Sequence, residues 1–108
     1  MNESEILDLI DTYEFKITQL KELIQKLKKE PKCFEEFVFQ KYIEFSSLPK
    51  TAKFLKENGY RKPQGTLYIT NDLSAIIQSK NQDVDYLLLN YAQSIFHKNS
   101  KAVSRAYG

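Results

Sequence analysis

SLPKTAKFLKENGYRKPQGTLYITNDLSAIIQ, residues 47–78, is the stretch whose reading decides the fold. Ser47 is placed to cap a helix, with Leu48 and Pro49 in its first turn, where a missing N–H costs nothing. Ala52 and Leu55 follow one turn above Leu48 and give that helix an apolar face. Asn58-Gly59 then closes it, because glycine supplies the left-handed residue beyond a helix end. Tyr60 to Ile69 leans toward β structure but holds Pro63 and Gly65, which predicts a hairpin-like turn between two short extended arms. Thr70 is the expected cap of a second short helix, buried through Leu73, Ile76 and Ile77. Two short helices so joined form a candidate helix-turn-helix, the second offered to a major groove.

The spacing of this unit resembles the helix-turn-helix core of the recombinase domain in large serine recombinases. The residues that carry the resemblance are Ala52, Leu55, Gly59, Pro63, Gly65, Tyr68, Leu73, Ile76 and Ile77. Three positions depart from the pattern: Lys56 replaces a usual asparagine, Tyr68 a usual tryptophan, and Thr70 falls one place late. The resemblance spans residues 52–77 and implies contact with double-stranded DNA, not recombination, since the chain has no room for the catalytic serine domain. An αα-hairpin with a glycine turn also occurs in helical proteins that touch no nucleic acid.

Charge sharpens the reading. The net of +2 over 108 residues is unremarkable, yet residues 1–48 carry −3 and residues 49–108 carry +5. Such asymmetry points one half toward a polyanion. Lys50, Lys53, Lys56, Arg61 and Lys62, with the hydroxyl of Thr51, are the candidate phosphate contacts. Asn71, Ser74 and Gln78, off the apolar stripe of the second helix, are the candidate base readers. Asp72 beside them would repel phosphate, so it is expected at the helix start or on a cytosine amino group. For the lysines, an ordinary solvated helix face is the competing reading.

Upstream, residues 3–29 read as one long amphipathic helix. Ile6, Ile10, Tyr13, Ile17, Leu20, Ile24 and Leu27 alternate steps of four and three, a heptad with isoleucine at a (10, 17, 24) and an apolar residue at each d. That choice favours a parallel two-stranded coiled coil, and these seven residues form the expected homodimer seam. Two features complicate it. Leu7, Leu9 and Leu23 widen the stripe, and a parallel pair would set Lys16 against Lys21 of the second copy. Asn2 or Ser4 is expected to cap the start, and Pro31 to end the helix at Glu30.

Residues 32–46 predict a core helix. Phe34, Phe37, Val38, Tyr42 and Phe45 share one face, and Phe39 and Ile43 spill onto another. At helical spacing these aromatics read as core and not as a platform for bases. Cys33 reads as a small hydrophobe. Asp83 is the expected cap of a last helix, 84–98, striped by Val84, Leu87, Leu88, Tyr91 and Ile95. The tail NSKAVSRAYG has no periodicity and reads as frayed, kept basic by Lys98, Lys101 and Arg105.

The expected fold is therefore mostly α: a coiled-coil-like helix over 1–30, a compact helix-turn-helix or winged-helix-like domain over 31–98, and a flexible basic tail over 99–108. No catalytic constellation is expected. His97 and Cys33 are each the only residue of their type and lie too far apart for metal-ligand spacing. Asp83 and Asp85 are explained by helix capping, and Glu35-Glu36 lie on different sides of a helix. No cofactor, metal, membrane or small-molecule substrate is anticipated. One cysteine, no apolar run and an acidic start together predict a cytoplasmic protein. The leading expectation is a non-enzymatic, dimeric DNA-binding protein, a regulator or a replication or recombination accessory factor, for instance of a mobile element. The alternative is a helical adaptor or inhibitor that binds another protein through its first helix.

Overall fold

The computed structural model describes residues 1–80 and the backbone of 83–107, with side chains through Ser100. Five helices follow one another: α1 Glu3–Lys28, α2 Phe34–Phe45, α3 Leu48–Glu57, α4 Thr70–Gln78 and α5 Tyr86–Tyr107. The chain divides into two compact units, Met1–Glu30 and Pro31–Gly108.

The first unit is α1, 26 residues long. Asn2 caps it, its Oδ1 accepting the Glu5 N–H at 2.8 Å, while Glu3 and Glu5 suit the positive end of the dipole and Lys26 and Lys28 the negative end. The helix ends before Pro31, as the restriction on the preceding residue requires. Leu23 is its one buried residue. The seam residues Ile6, Ile10, Tyr13, Ile17, Leu20 and Ile24 are all exposed, and Leu27 is half-buried.

The second unit is built around α2, which packs on α3, α4 and α5, while α4 also packs on α3 and α5. Val38, Phe39 and Tyr42 of α2 meet Thr51, Leu55, Leu73, Ile77, Leu88 and Ala92 in the core. Phe39, which the sequence places on a secondary face, has no exposed surface. One buried carboxylate holds two segments together. Glu36, 2% exposed, accepts the N–H of Lys32 at 3.2 Å and that of Asp85 at 3.0 Å.

Several local expectations need correction. No strand forms among the described residues, so the hairpin-like extended arms expected over 60–69 are absent. These residues make an irregular loop pinched at its centre, where the Lys62 N–H donates to Thr66 O at 2.9 Å and the Gly65 N–H to Lys62 O at 2.8 Å. Thr70 is the first residue of α4 and not its cap. Ile69 holds the cap position, and its N–H donates to the Asp72 carboxylate at 2.9 Å. Asp83 yields likewise to Asp85, whose Oδ1 accepts the Leu87 N–H at 2.9 Å. The last helix does not stop at residue 98 but runs to Tyr107. Asn99 ties it down, its Nδ2 donating to Ser46 O at 3.0 Å and to the Tyr42 hydroxyl at 3.4 Å. Burial pushes the Tyr42 phenol above its ordinary pKa, with the Asn99 bond pulling the other way.

Candidate nucleic-acid interface

The start of α3 is fixed as its sequence dictates: the Lys50 N–H donates to Ser47 Oγ at 3.3 Å. Its end is a complete glycine closure. The N–H of Gly59 donates to Lys56 O at 3.3 Å and that of Tyr60 to Leu55 O at 2.9 Å, with Gly59 at φ 81°. Gly65, at φ 88°, occupies a second left-handed position.

Aromatic packing holds the loop onto α2. Tyr68 stacks on Phe34 with ring centroids 4.9 Å apart, and Tyr60 lies 5.1 Å from Phe37 and 5.9 Å from Phe34. Phe54 of α3 sits 5.5 Å from Phe45. The half-buried rings of α2 thus meet other rings of the chain, and Lys41 Nζ caps two of them, 5.1 Å from Phe54 and 5.6 Å from Phe37.

On this support the candidate residues separate. Lys50, Lys53 and Lys56 are exposed along α3, and Arg61 is exposed just beyond it. Lys53 has Glu57 one turn on, at 3.9 Å, a surface pair of small worth. Arg61 turns its guanidinium back on the chain, donating to Tyr60 O at 2.8 Å and to Lys56 O at 3.4 Å. Lys62 departs from the set. Its Nζ lies 2.7 Å from Asp72 Oδ1, and both side chains are mostly covered. Beside the Lys62 ammonium, and with the Ile69 N–H as a second donor, the Asp72 carboxyl is held below the usual range. Lys62 thereby neutralises the acid at the start of α4.

Thr51 leaves the candidate set altogether: it is fully buried, its hydroxyl donating to Ser47 O at 2.7 Å. Its position one turn past the cap, on the side facing α2, placed it in the core.

On α4 the outward face runs Asn71, Ala75 and Gln78, one side of the helix by its i, i+4, i+7 spacing. Sequence reading missed Ala75, which has no polar atom; its spacing from Asn71 and Gln78 was the available signal. Gln78 donates to Ser74 Oγ at 3.1 Å, and Ser74 itself is half-buried. Asn71 and Ser74 border an open groove of about 740 Å³ whose other walls are the α2–α3 junction and Phe96, Asn99 and Ser100 of α5. A shallower recess beside Ala75 is lined by Glu35, Ile76, Ser79 and Lys80, which brings one carboxylate close to this face.

Among the described residues no group of three or more His, Cys, Asp or Glu stands together as a metal site would require, and no helix is long and apolar enough to cross a membrane. No family model, curated protein or solved structure matches the chain.

Proposed function

We propose that this chain is a non-enzymatic, cytoplasmic double-stranded DNA-binding protein that works as a homodimer, with α3, the 58–69 loop and α4 as the contact unit and α1 as the pairing helix. The observation that carries the reading is the exposed ridge of Lys50, Lys53, Lys56 and Arg61 beside the polar outward face of α4. Cations spaced along a helix and loop suit the phosphate backbone, and a short neighbouring helix with Asn71, Ala75 and Gln78 outward has groups suited to base edges. Asparagine and glutamine can bond adenine bidentately, and alanine can meet a thymine methyl. The spacing shared with the recombinase helix-turn-helix points the same way and rests on those residues alone. Roles as a regulator or as an accessory factor of replication or recombination are all open to such a unit.

The test is competition binding to specific and scrambled duplexes, the specific site being selected from random DNA, at two salt concentrations. Alanine at Lys50 or Lys56 should weaken both duplexes alike and lower the salt slope by about one. Alanine at Asn71 or Gln78 should lower affinity for the selected site by roughly 1–3 kcal/mol and spare scrambled DNA. Equal losses on both duplexes would remove α4 as the reader. Wild-type protein that binds no duplex in a salt-dependent way would remove the DNA reading. It would favour the adaptor alternative, for which the exposed apolar seam of α1 is the supporting observation.

A further inference from the structure

We infer that α1 pairs with α1 of a second copy in the antiparallel sense, resting on the self-pairing proposed above and reversing the orientation that the core residues alone favour. Isoleucine at a and leucine at d favour a parallel pair. The charges on the rest of the helix oppose it.

All five charged residues over 3–14 are acids, whereas residues 16–29 hold five lysines and one acid, Glu22. A parallel pair lays acid along acid and base along base, with Lys16 at g facing the second copy's Lys21 at e. An antiparallel pair lays each acidic half along the other copy's basic half.

The register follows from the flanking positions. Setting Ile17 opposite the second copy's Leu20 also sets Ile10 opposite Leu27 and Tyr13 opposite Ile24, so every layer is apolar. In that register Glu14 at e meets Lys21 at e of the other copy, and the two-fold axis makes the contact twice. A slip of one heptad either way sets Glu14 against Glu14 and Lys16 against Lys16, or Lys21 against Lys21. Of these three registers only the first is free of like charges at these positions. Glu14 and Lys21 are exposed, as are Ile10, Tyr13, Ile17, Leu20 and Ile24, while Leu27 is half-buried and the flanking Leu23 is buried.

The two points at which the chain leaves α1 fall at opposite ends of the pair, roughly 28 Å apart along the axis at 1.5 Å per residue. A parallel pair brings them side by side.

Charge reversal of the full-length chain, followed by sedimentation equilibrium, tests the orientation. Lys21→Glu should weaken the dimer about tenfold, because it turns two attractive pairs into repulsive ones. Glu14→Lys should do the same, and the double variant Glu14→Lys with Lys21→Glu should restore wild-type affinity. In a parallel dimer Lys21→Glu does the opposite and tightens association by relieving Lys16, while Glu14→Lys has little effect. A tighter Lys21→Glu dimer therefore overturns the antiparallel orientation and leaves the self-pairing standing. A wild-type chain that sediments as a monomer at high micromolar concentration removes both. On a Cys33→Ser background, mixed Ile10→Cys and Leu27→Cys chains should form the mixed disulfide; self-linked Ile10→Cys chains would again overturn the orientation.

Discussion

α1 and α2 are both rich in large apolar residues, yet they meet opposite fates. In α2, Val38, Phe39 and Tyr42 are lost to solvent completely, or nearly so, under three neighbouring helices. In α1, Ile17 remains 51% exposed and Tyr13 59%. The difference lies in periodicity. The apolar residues of α2 surround most of its circumference, so only a position among several helices covers them. Those of α1 centre on a 3.5-residue repeat that a single partner helix can cover, with Leu7 and Leu9 flanking it. Hydrophobic content alone would not have told these helices apart.

Four substitutions break or sharpen that contrast. The largest effect is expected at Phe39. Truncation to alanine should cost the Pro31–Gly108 unit about 3–5 kcal/mol in chemical denaturation, while sedimentation still reports association through α1. Ile17→Lys should do the reverse. It would bury two charges at the seam and weaken pairing on the order of several kcal/mol, with circular dichroism showing the second unit still folded. Loss of that unit's structure in the Ile17→Lys chain would show that α1 stabilises it and is not a separate pairing element.

Glu36→Ala should rank third, at about 1–3 kcal/mol, since it removes the buried carboxylate that accepts the N–H groups of Lys32 and Asp85. Denaturation midpoints against wild type would measure it, and α1 pairing should not change. The smallest effect is a pH dependence. Because the folded pKa of Asp72 is depressed, its contribution is fully present above the ordinary carboxylate value of about 3.9 and is lost as pH falls through the lower folded value. Asp72→Asn should therefore flatten part of the acid limb of the stability profile below about pH 4. It should also leave the Lys62 ammonium without its partner, so non-specific DNA affinity should rise slightly. An unchanged acid limb would show that the Lys62–Asp72 contact is not kept in solution.

Much of the fold is legible along the chain because its signals are local. Asn2 and Ser47 cap the helices they precede, Pro31 stops α1, and Gly59 closes α3, each through bonds within a few residues. Thr70 and Asp83 misled for the same reason. Each is a competent cap, but Asp72 and Asp85 offered carboxylates that hold the Ile69 and Leu87 N–H groups, moving both helix starts. The β-leaning arms around Pro63 found no neighbouring strand to pair with, and the Tyr60 and Tyr68 rings packed on Phe34 and Phe37 instead.

By itself, then, the sequence determined the helical class, the glycine positions of the loop, the apolar seam of α1 and the basic ridge from Lys50 to Arg61. These depend on periodicity, backbone conformation and charge, which neighbouring residues carry. Tertiary structure decided which polar residues remain available: it buried Thr51 and Glu36, joined Lys62 to Asp72, and carried α5 past residue 98 through Asn99. Those outcomes turn on partners distant along the chain, where a donor, an acceptor or a charge is satisfied only once the helices have packed.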